Sequence, residues 1–144
     1  MDNGDGTITD VNTGLVWEKQ SFDGSVHDVD NTYTWDQAFS GHVATFNAMS
    51  FAGHTDWRVP NVRELQSIAN YQNFNPAVSP AFNTNCTPGC TVTSCSCTQA
   101  SNYWSSTTYA LNPQNAWFVY SPDGFMYAIS KPSNGYVRAV RGGS

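Results

Sequence analysis

The chain has 144 residues, and six Lys and Arg against eleven Asp and Glu leave a formal net charge of −5. That balance argues for one domain and against a basic protein that grips nucleic acid. With 40% hydrophobic and 14% aromatic residues the chain has the material for a packed core, which excludes disorder, and only 12% is charged, about half the usual share of roughly 25%.

Ser, Thr, Asn and Gly are abundant, a composition expected of an extracellular, β-rich domain. No apolar run approaches the roughly 18 residues of a membrane-spanning helix, so no membrane insertion is expected. Met1 is followed at once by Asp2-Asn-Gly-Asp-Gly6, without the apolar stretch of a signal peptide, so any export signal is expected to lie outside this chain.

Asp2 to Ile8 echoes the first half of a calcium loop, with Asn3 and Asp5 as the candidate ligands. The match is incomplete, because Asn12 stands where a bidentate carboxylate belongs, and a Gly-rich turn is the preferred reading. Thr7 to Asp10 and Leu15 to Lys19 predict two short strands around the turn Val11-Asn-Thr-Gly14. After a polar stretch, Thr34 and Gln37 form a capping box, and Trp35, Ala38, Phe39, Val43, Phe46 and Met49 recur at helical spacing, which predicts a helix over 35–49. Asn61 and Glu64 repeat the capping pattern ahead of Leu65, Ile68 and Ala69, a shorter second helix.

From Tyr71 to Gln99 the chain shows no period and is rich in Pro, Asn and Thr. It holds all four cysteines, Cys86, Cys90, Cys95 and Cys97. Two disulfides clipping a surface loop are expected, with a Cys95–Cys97 bridge the least plausible because one residue separates them. The spacings x3, x4 and x1, without a nearby His, fit a metal site poorly. Disulfides imply an oxidising compartment, so secretion or the cell surface is expected.

Four strand candidates follow: Tyr103 to Thr108, Ala116 to Ser121, Phe125 to Lys131 and Tyr136 to Arg141. The expected architecture is α+β, two helices packed on antiparallel sheet that the N-terminal hairpin completes, with a long irregular disulfide-clipped excursion, in a single domain over 1–144. Ser121-Pro-Asp-Gly124 is a turn signal that pairs Ser121 with Phe125. That register puts Trp117, Val119, Phe125, Tyr127 and Ile129 on a core face, and Phe118, Tyr120, Met126 and Ala128 on a contact face.

Several motifs together resemble a known bacterial family. They are Asp2-Asn-Gly-Asp-Gly-Thr-Ile-Thr-Asp10, Thr13-Gly-Leu-Val-Trp-Glu18, Tyr33-Thr-Trp-Asp-Gln-Ala38, Gly53-His-Thr-Asp-Trp-Arg-Val-Pro60 and Arg63-Glu-Leu-Gln66. Asn102-Tyr-Trp-Ser-Ser-Thr107, Asn115-Ala-Trp-Phe-Val119 and Tyr136-Val-Arg-Ala-Val-Arg-Gly-Gly143 extend the match. The chain resembles the Lcl C-terminal-domain-like family, named for the terminal domain of a collagen-like bacterial adhesin. The resemblance implies a C-type lectin-like fold, related to that of formylglycine-generating enzymes, and an extracellular binding role as the terminal module of a longer protein.

Fold sharing does not carry an activity across. Formylglycine generation needs reactive cysteines near the C-terminal part of the fold, and none follows Cys97. Glu18 and Glu64 are the only glutamates and both sit in structural motifs; His27, His42 and His54 are dispersed. No catalytic residue is therefore assigned, and the protein is read as a non-enzyme without a cofactor. Trp17, Trp35, Trp57 and Trp104 read as core aromatics, and Asp56, Arg58, Glu64, Arg138 and Arg141 as a buried ion-pair network in which Asp56 and Glu64 partner arginines.

The residues expected at a ligand or subunit contact are Tyr109, Asn112, Gln114, Asn115, Phe118, Tyr120 and Met126. The leading expectation is a recognition or adhesion domain for a protein or glycan ligand. Two alternatives are a receptor domain diversified by a retroelement, and a cap that holds a fibrous stalk as a homotrimer. The namesake adhesin is associated with sulfated glycosaminoglycans, but six scattered basic residues do not supply the cluster that a polyanion needs.

Overall fold

The computed structural model describes residues 1–143. Strands β1 (Thr7–Thr9) and β2 (Val16–Glu18) form the expected hairpin, with Ile8 opposite Trp17. Gly14 closes its turn at φ 75°, a conformation only glycine takes without strain. Helix α1 (Trp35–Gln37) starts at the Thr34–Gln37 capping box, passes through a π-helical segment over Ala38–Val43 and resumes as α2 (Ala44–Ala48). The wider π turn breaks the 3.6-residue period, so His42 and Val43 turn inward while Phe39 and Met49 are exposed. Helix α3 (Val62–Ser67) begins at the predicted Asn61–Glu64 box.

Strands β3 (Asn102–Thr108), β4 (Asn115–Tyr120) and β5 (Phe125–Ser130) form an antiparallel sheet in that order. The N-terminal hairpin does not join it. It pairs instead with β6 (Val140–Arg141), so the α+β architecture contains two three-stranded antiparallel sheets. Of the strand expected over 136–141, only its last two residues make a ladder, and side chains take two of the remaining backbone groups. The Glu18 carboxylate accepts from Ala139 N at 2.7 Å, and the Gln20 amide donates to the Val137 carbonyl at 2.9 Å. Tyr136 links the segment to β3 through bonds of 2.8 Å to Trp104 and Asn102. The segment 136–141 is thus the bridge between the two sheets.

Two apolar clusters flank this bridge. Val137, Ala139, Trp104, Ala116 and Phe118 pack with Phe46, Phe51 and Trp57 on one side. Val140, Trp17, Tyr103 and Val119 pack with Ile8, Leu65, Ile68 and Phe82 on the other. Trp17, Trp57 and Trp104 are core residues as expected, while Trp35 is half-buried with its indole N–H on the Ser105 carbonyl at 2.9 Å.

The charged network differs from the expected one. Arg138 is buried without a carboxylate: it donates to the carbonyls of Glu18 and Cys97 at 3.0 and 2.6 Å and to Thr98 Oγ1 at 2.8 Å, between the rings of Phe82 and Tyr103. Glu64 grips Arg58 in a two-pronged bond of 2.6 Å each. Asp56 does pair with Arg141, at 2.7 Å, but on the surface, with the Asp56 side chain 57% exposed. The reason is position: Asp56 lies in the loop ahead of Trp57, whose indole takes the interior side.

The excursion is closed by two disulfides, Cys86–Cys97 and Cys90–Cys95. Cys95 and Cys97 are buried and pack with Val29 and Phe22, which ties the excursion to the segment after β2.

Two outcomes are expected. Peptide mapping without reduction recovers those two cystines. In urea denaturation Arg138→Ala costs on the order of 4 kcal/mol, because it orphans buried carbonyls and leaves a cavity, whereas Asp56→Ala costs under about 1 kcal/mol as an exposed pair does.

Candidate binding face

Ser121 sets the geometry of the β4–β5 hairpin. Its N–H bonds the Ser101 carbonyl at 2.9 Å, its hydroxyl accepts from Ser101 N at 3.0 Å and donates to the Gln99 carbonyl, and its own carbonyl accepts from Ala77 at 2.6 Å. These bonds pull Ser121 into the interior and out of the ladder. The hairpin therefore closes one residue earlier than the turn signal implied, with Tyr120 opposite Phe125 and Phe118 opposite Tyr127. Asp123 holds the turn through a bond of 2.9 Å from Phe125 N, and Gly124 takes φ 76°.

This one-residue difference reassigns the faces, since side chains alternate along a strand. Phe118 and Tyr120 now share a face with Phe125, Tyr127 and Ile129, while Val119 shares the other with Met126. Phe118, expected at the contact surface, is buried in the core at 7% exposure, where it pairs with Trp104 across β3–β4. Phe125 and Tyr127, expected in the core, are exposed. Strand β4 is central and packed on both sides; β5 is an edge and open.

The result is a connected aromatic face at one end of the sheet. Tyr120 and Tyr127 meet edge to face at 6.2 Å, Tyr127 lies 5.7 Å from Phe118, and Tyr71 lies 5.7 Å from Phe125. Tyr71 comes from the irregular excursion and is fixed by its hydroxyl on the Gly124 carbonyl at 3.3 Å. The Tyr127 hydroxyl donates to Asp123 Oδ2 at 2.9 Å, and this bond to a carboxylate raises the phenol above its ordinary pKa. No Lys or Arg occurs between Arg63 and Lys131, the stretch that builds this face, so its one formal charge is the Asp123 carboxylate. Nothing in the periodicity of the excursion marked Tyr71 as part of it.

The other expected contact residues lie elsewhere. Tyr109, Asn112 and Gln114 occupy the β3–β4 loop, and Asn115 begins β4, all at the opposite end of the sheet from the 121–124 turn. There Tyr109 N bonds the Asn115 carbonyl at 3.0 Å, Asn112 caps Gln114 N at 3.3 Å, and Tyr109 packs on Trp117. Met126 projects from the reverse face. With Phe118 in the core, the expected set is split over four places, and Tyr120 is its one exposed member on the aromatic face.

At the calcium candidates, Asp5 Oδ1 accepts from Thr7 N and Thr7 Oγ1 at 3.0 and 2.6 Å, and Asn3 bonds Thr7 and Thr9. Asp2 is held by Lys19 at 2.7 Å. The side-chain oxygens are spent on the turn and do not converge.

A second polar cluster escaped the sequence reading because its members are far apart in the chain. Glu18 is fully buried, with Oε1 2.6 Å from His42 Nε2, and His42 Nδ1 is 3.0 Å from the Tyr33 hydroxyl. Glu18 Oε2 faces His27 Nδ1 at 3.5 Å, and neither of these two atoms makes a hydrogen bond. Burial pushes the Glu18 pKa up, but the adjacent His42 and His27 outweigh it and bring it down to about 2. Phe46 and Phe51 seal the cluster against the core.

The family model of the Lcl C-terminal domain matches residues 6–141. The chain belongs to the Lcl C-terminal domain family. No curated protein matches it.

In this Lcl C-terminal domain the Glu18 cluster makes stability depend on acid. The folded pKa of Glu18 lies below the ordinary glutamate value of 4.5, so its stabilisation is complete above that value and is lost as pH falls toward about 2. Melting temperatures taken from pH 6 to pH 2.5 are expected to drop through this window. Glu18→Gln is expected to lie below the wild type at pH 6 and to flatten the decline.

Proposed function

We propose that this Lcl C-terminal domain is a non-catalytic recognition module of a secreted or cell-surface protein, on a C-type lectin-like fold, which binds a protein or glycan ligand through Tyr71, Tyr120, Phe125 and Tyr127. The observation that carries this reading is the connected, exposed aromatic face held on a rigid hairpin. Aromatic rings give large contact area at little cost in conformational entropy, and the tyrosine hydroxyls add hydrogen bonding. Without a cation the face suits an uncharged ligand surface and disfavours a sulfated one.

The two disulfides support an oxidising compartment. The non-catalytic part of the reading draws on the interior. The interacting titratable groups Glu18, His27 and His42 are buried away from substrate. The diversified-receptor alternative, which would vary Tyr109, Phe118, Tyr120 and Tyr127, is weakened because Phe118 is core.

The test is binding to arrays of neutral and sulfated oligosaccharides and to immobilised extracellular proteins. Tyr120→Ala and Tyr127→Ala are each expected to weaken a wild-type interaction by about tenfold or more with the melting temperature little changed. Undiminished binding by both variants, or binding confined to sulfated glycans, overturns the reading.

A further inference from the structure

Lys19 follows β2, and its side chain is only 4% exposed. Lysine is rarely buried, because its ammonium is a compact and strongly hydrated charge. Of the three donors on that ammonium, one is used among the described residues, on Asp2 Oδ2 at 2.7 Å. Asp2 is half in solvent, and its other oxygen accepts from Gly4 N at 2.9 Å. The pair by itself does not explain a buried cation, since an apolar side chain along the same path is often at least as stable.

Lys19 and Asp2 line a pocket of about 260 Å³ whose other wall is the disulfide-closed excursion, with Thr84, Asn85, Ser94 and Ser96. That wall is held in shape. Thr84 and Ser96 exchange backbone bonds of 2.7 and 2.9 Å, and Cys95, between Ser94 and Ser96, is bonded to Cys90. Ser96 is buried, and its hydroxyl has no hydrogen-bond partner among the described residues. A buried hydroxyl left without a partner is costly, and here it sits in the wall of a polar pocket.

The wall selects its ligand by chemistry. An anion is repelled by Asp2 and a cation by Lys19, while an apolar group strands both. A hydroxyl suits the pair, because it accepts from the ammonium and donates to the carboxylate, whose oxygens keep free lone pairs. The volume lies below the roughly 300–1,000 Å³ of sites for drug-sized ligands, which suits a single ring.

We propose that this pocket takes one neutral sugar unit. One ring hydroxyl accepts from Lys19 Nζ and donates to Asp2, and neighbouring hydroxyls meet Asn85 and Ser96. None of these residues belongs to the aromatic face, so the site stands whether or not that face binds a ligand.

Backbone amide resonances of the isotope-labelled chain test it, titrated with the methyl glycosides of glucose, galactose, mannose and N-acetylglucosamine, and with glucuronate and glycerol for comparison. At least one neutral glycoside is expected to shift the Lys19, Asn85 and Ser96 amides and leave those of Tyr120 and Tyr127 in place. An affinity on the order of 1 mM is what about a dozen non-hydrogen atoms support. Lys19→Met is expected to weaken it by about tenfold or more. Should that variant fail to fold, Asn85→Gly decides: glycine keeps the φ of 55° found there while removing the amide, and binding weakens. No shift with any of the four glycosides, shifts undiminished in a folded variant, or a response to glucuronate or glycerol as strong as to the glycosides overturns the proposal.

Discussion

Glu18 and Arg138 are both buried, and each holds backbone from a distant part of the chain. The Glu18 carboxylate binds Ala139 N and His42, joining the N-terminal hairpin, the π-helical segment and the C-terminal strand. The Arg138 guanidinium binds the carbonyls of Glu18 and Cys97, joining that strand to the hairpin and to the disulfide-closed excursion. Gln20 completes the clasp by donating to Val137 and accepting from Tyr103 at 2.6 Å. Burying a charge is costly unless it is paired or hydrogen-bonded, so the bonds made by Arg138 and by Glu18 Oε1 constrain where the neighbouring elements sit.

The clasp explains why the molecule has two sheets. Along 136–139 the Glu18 and Gln20 side chains hold Ala139 N and Val137 O while Tyr136 bonds β3, so the chain there is fixed between the sheets rather than within one. The segment then offers Val137 and Ala139 to one cluster and Val140 to the other. Because β3 and β4 lie between the same clusters, β4 is packed on both faces, and the outermost strand inherits the open surface. The exposure of β5 is thus a consequence of where the core closes, and it is this exposure that the functional reading uses.

The disulfides act on the same clasp from outside. Cys97 is bonded to Cys86 and offers its carbonyl to Arg138, so closing the excursion also positions an acceptor for a buried cation. A cross-link in a loop without helix or strand of any length restricts the unfolded chain and keeps an otherwise mobile segment near the core. The excursion in turn delivers Tyr71 to the hairpin turn, through its bond to Gly124.

Local signals in the sequence carried the short-range structure. Both capping boxes, the N-terminal hairpin, three of the four C-terminal strands and the cysteine loop were legible, because each is set by residues within about one turn or one strand length of each other. The family motifs were legible for the same reason. What sequence did not determine was the hairpin register, the partner of the last strand and the members of the aromatic face. Ser121 is drawn inward by Ser101, Gln99 and Ala77; the 136–139 backbone is claimed by Glu18 and Gln20; and Tyr71 reaches Phe125 from across the excursion. These choices belong to contacts between residues remote in the chain, where a local pattern has no information, and a change of one residue in register was enough to exchange core for surface.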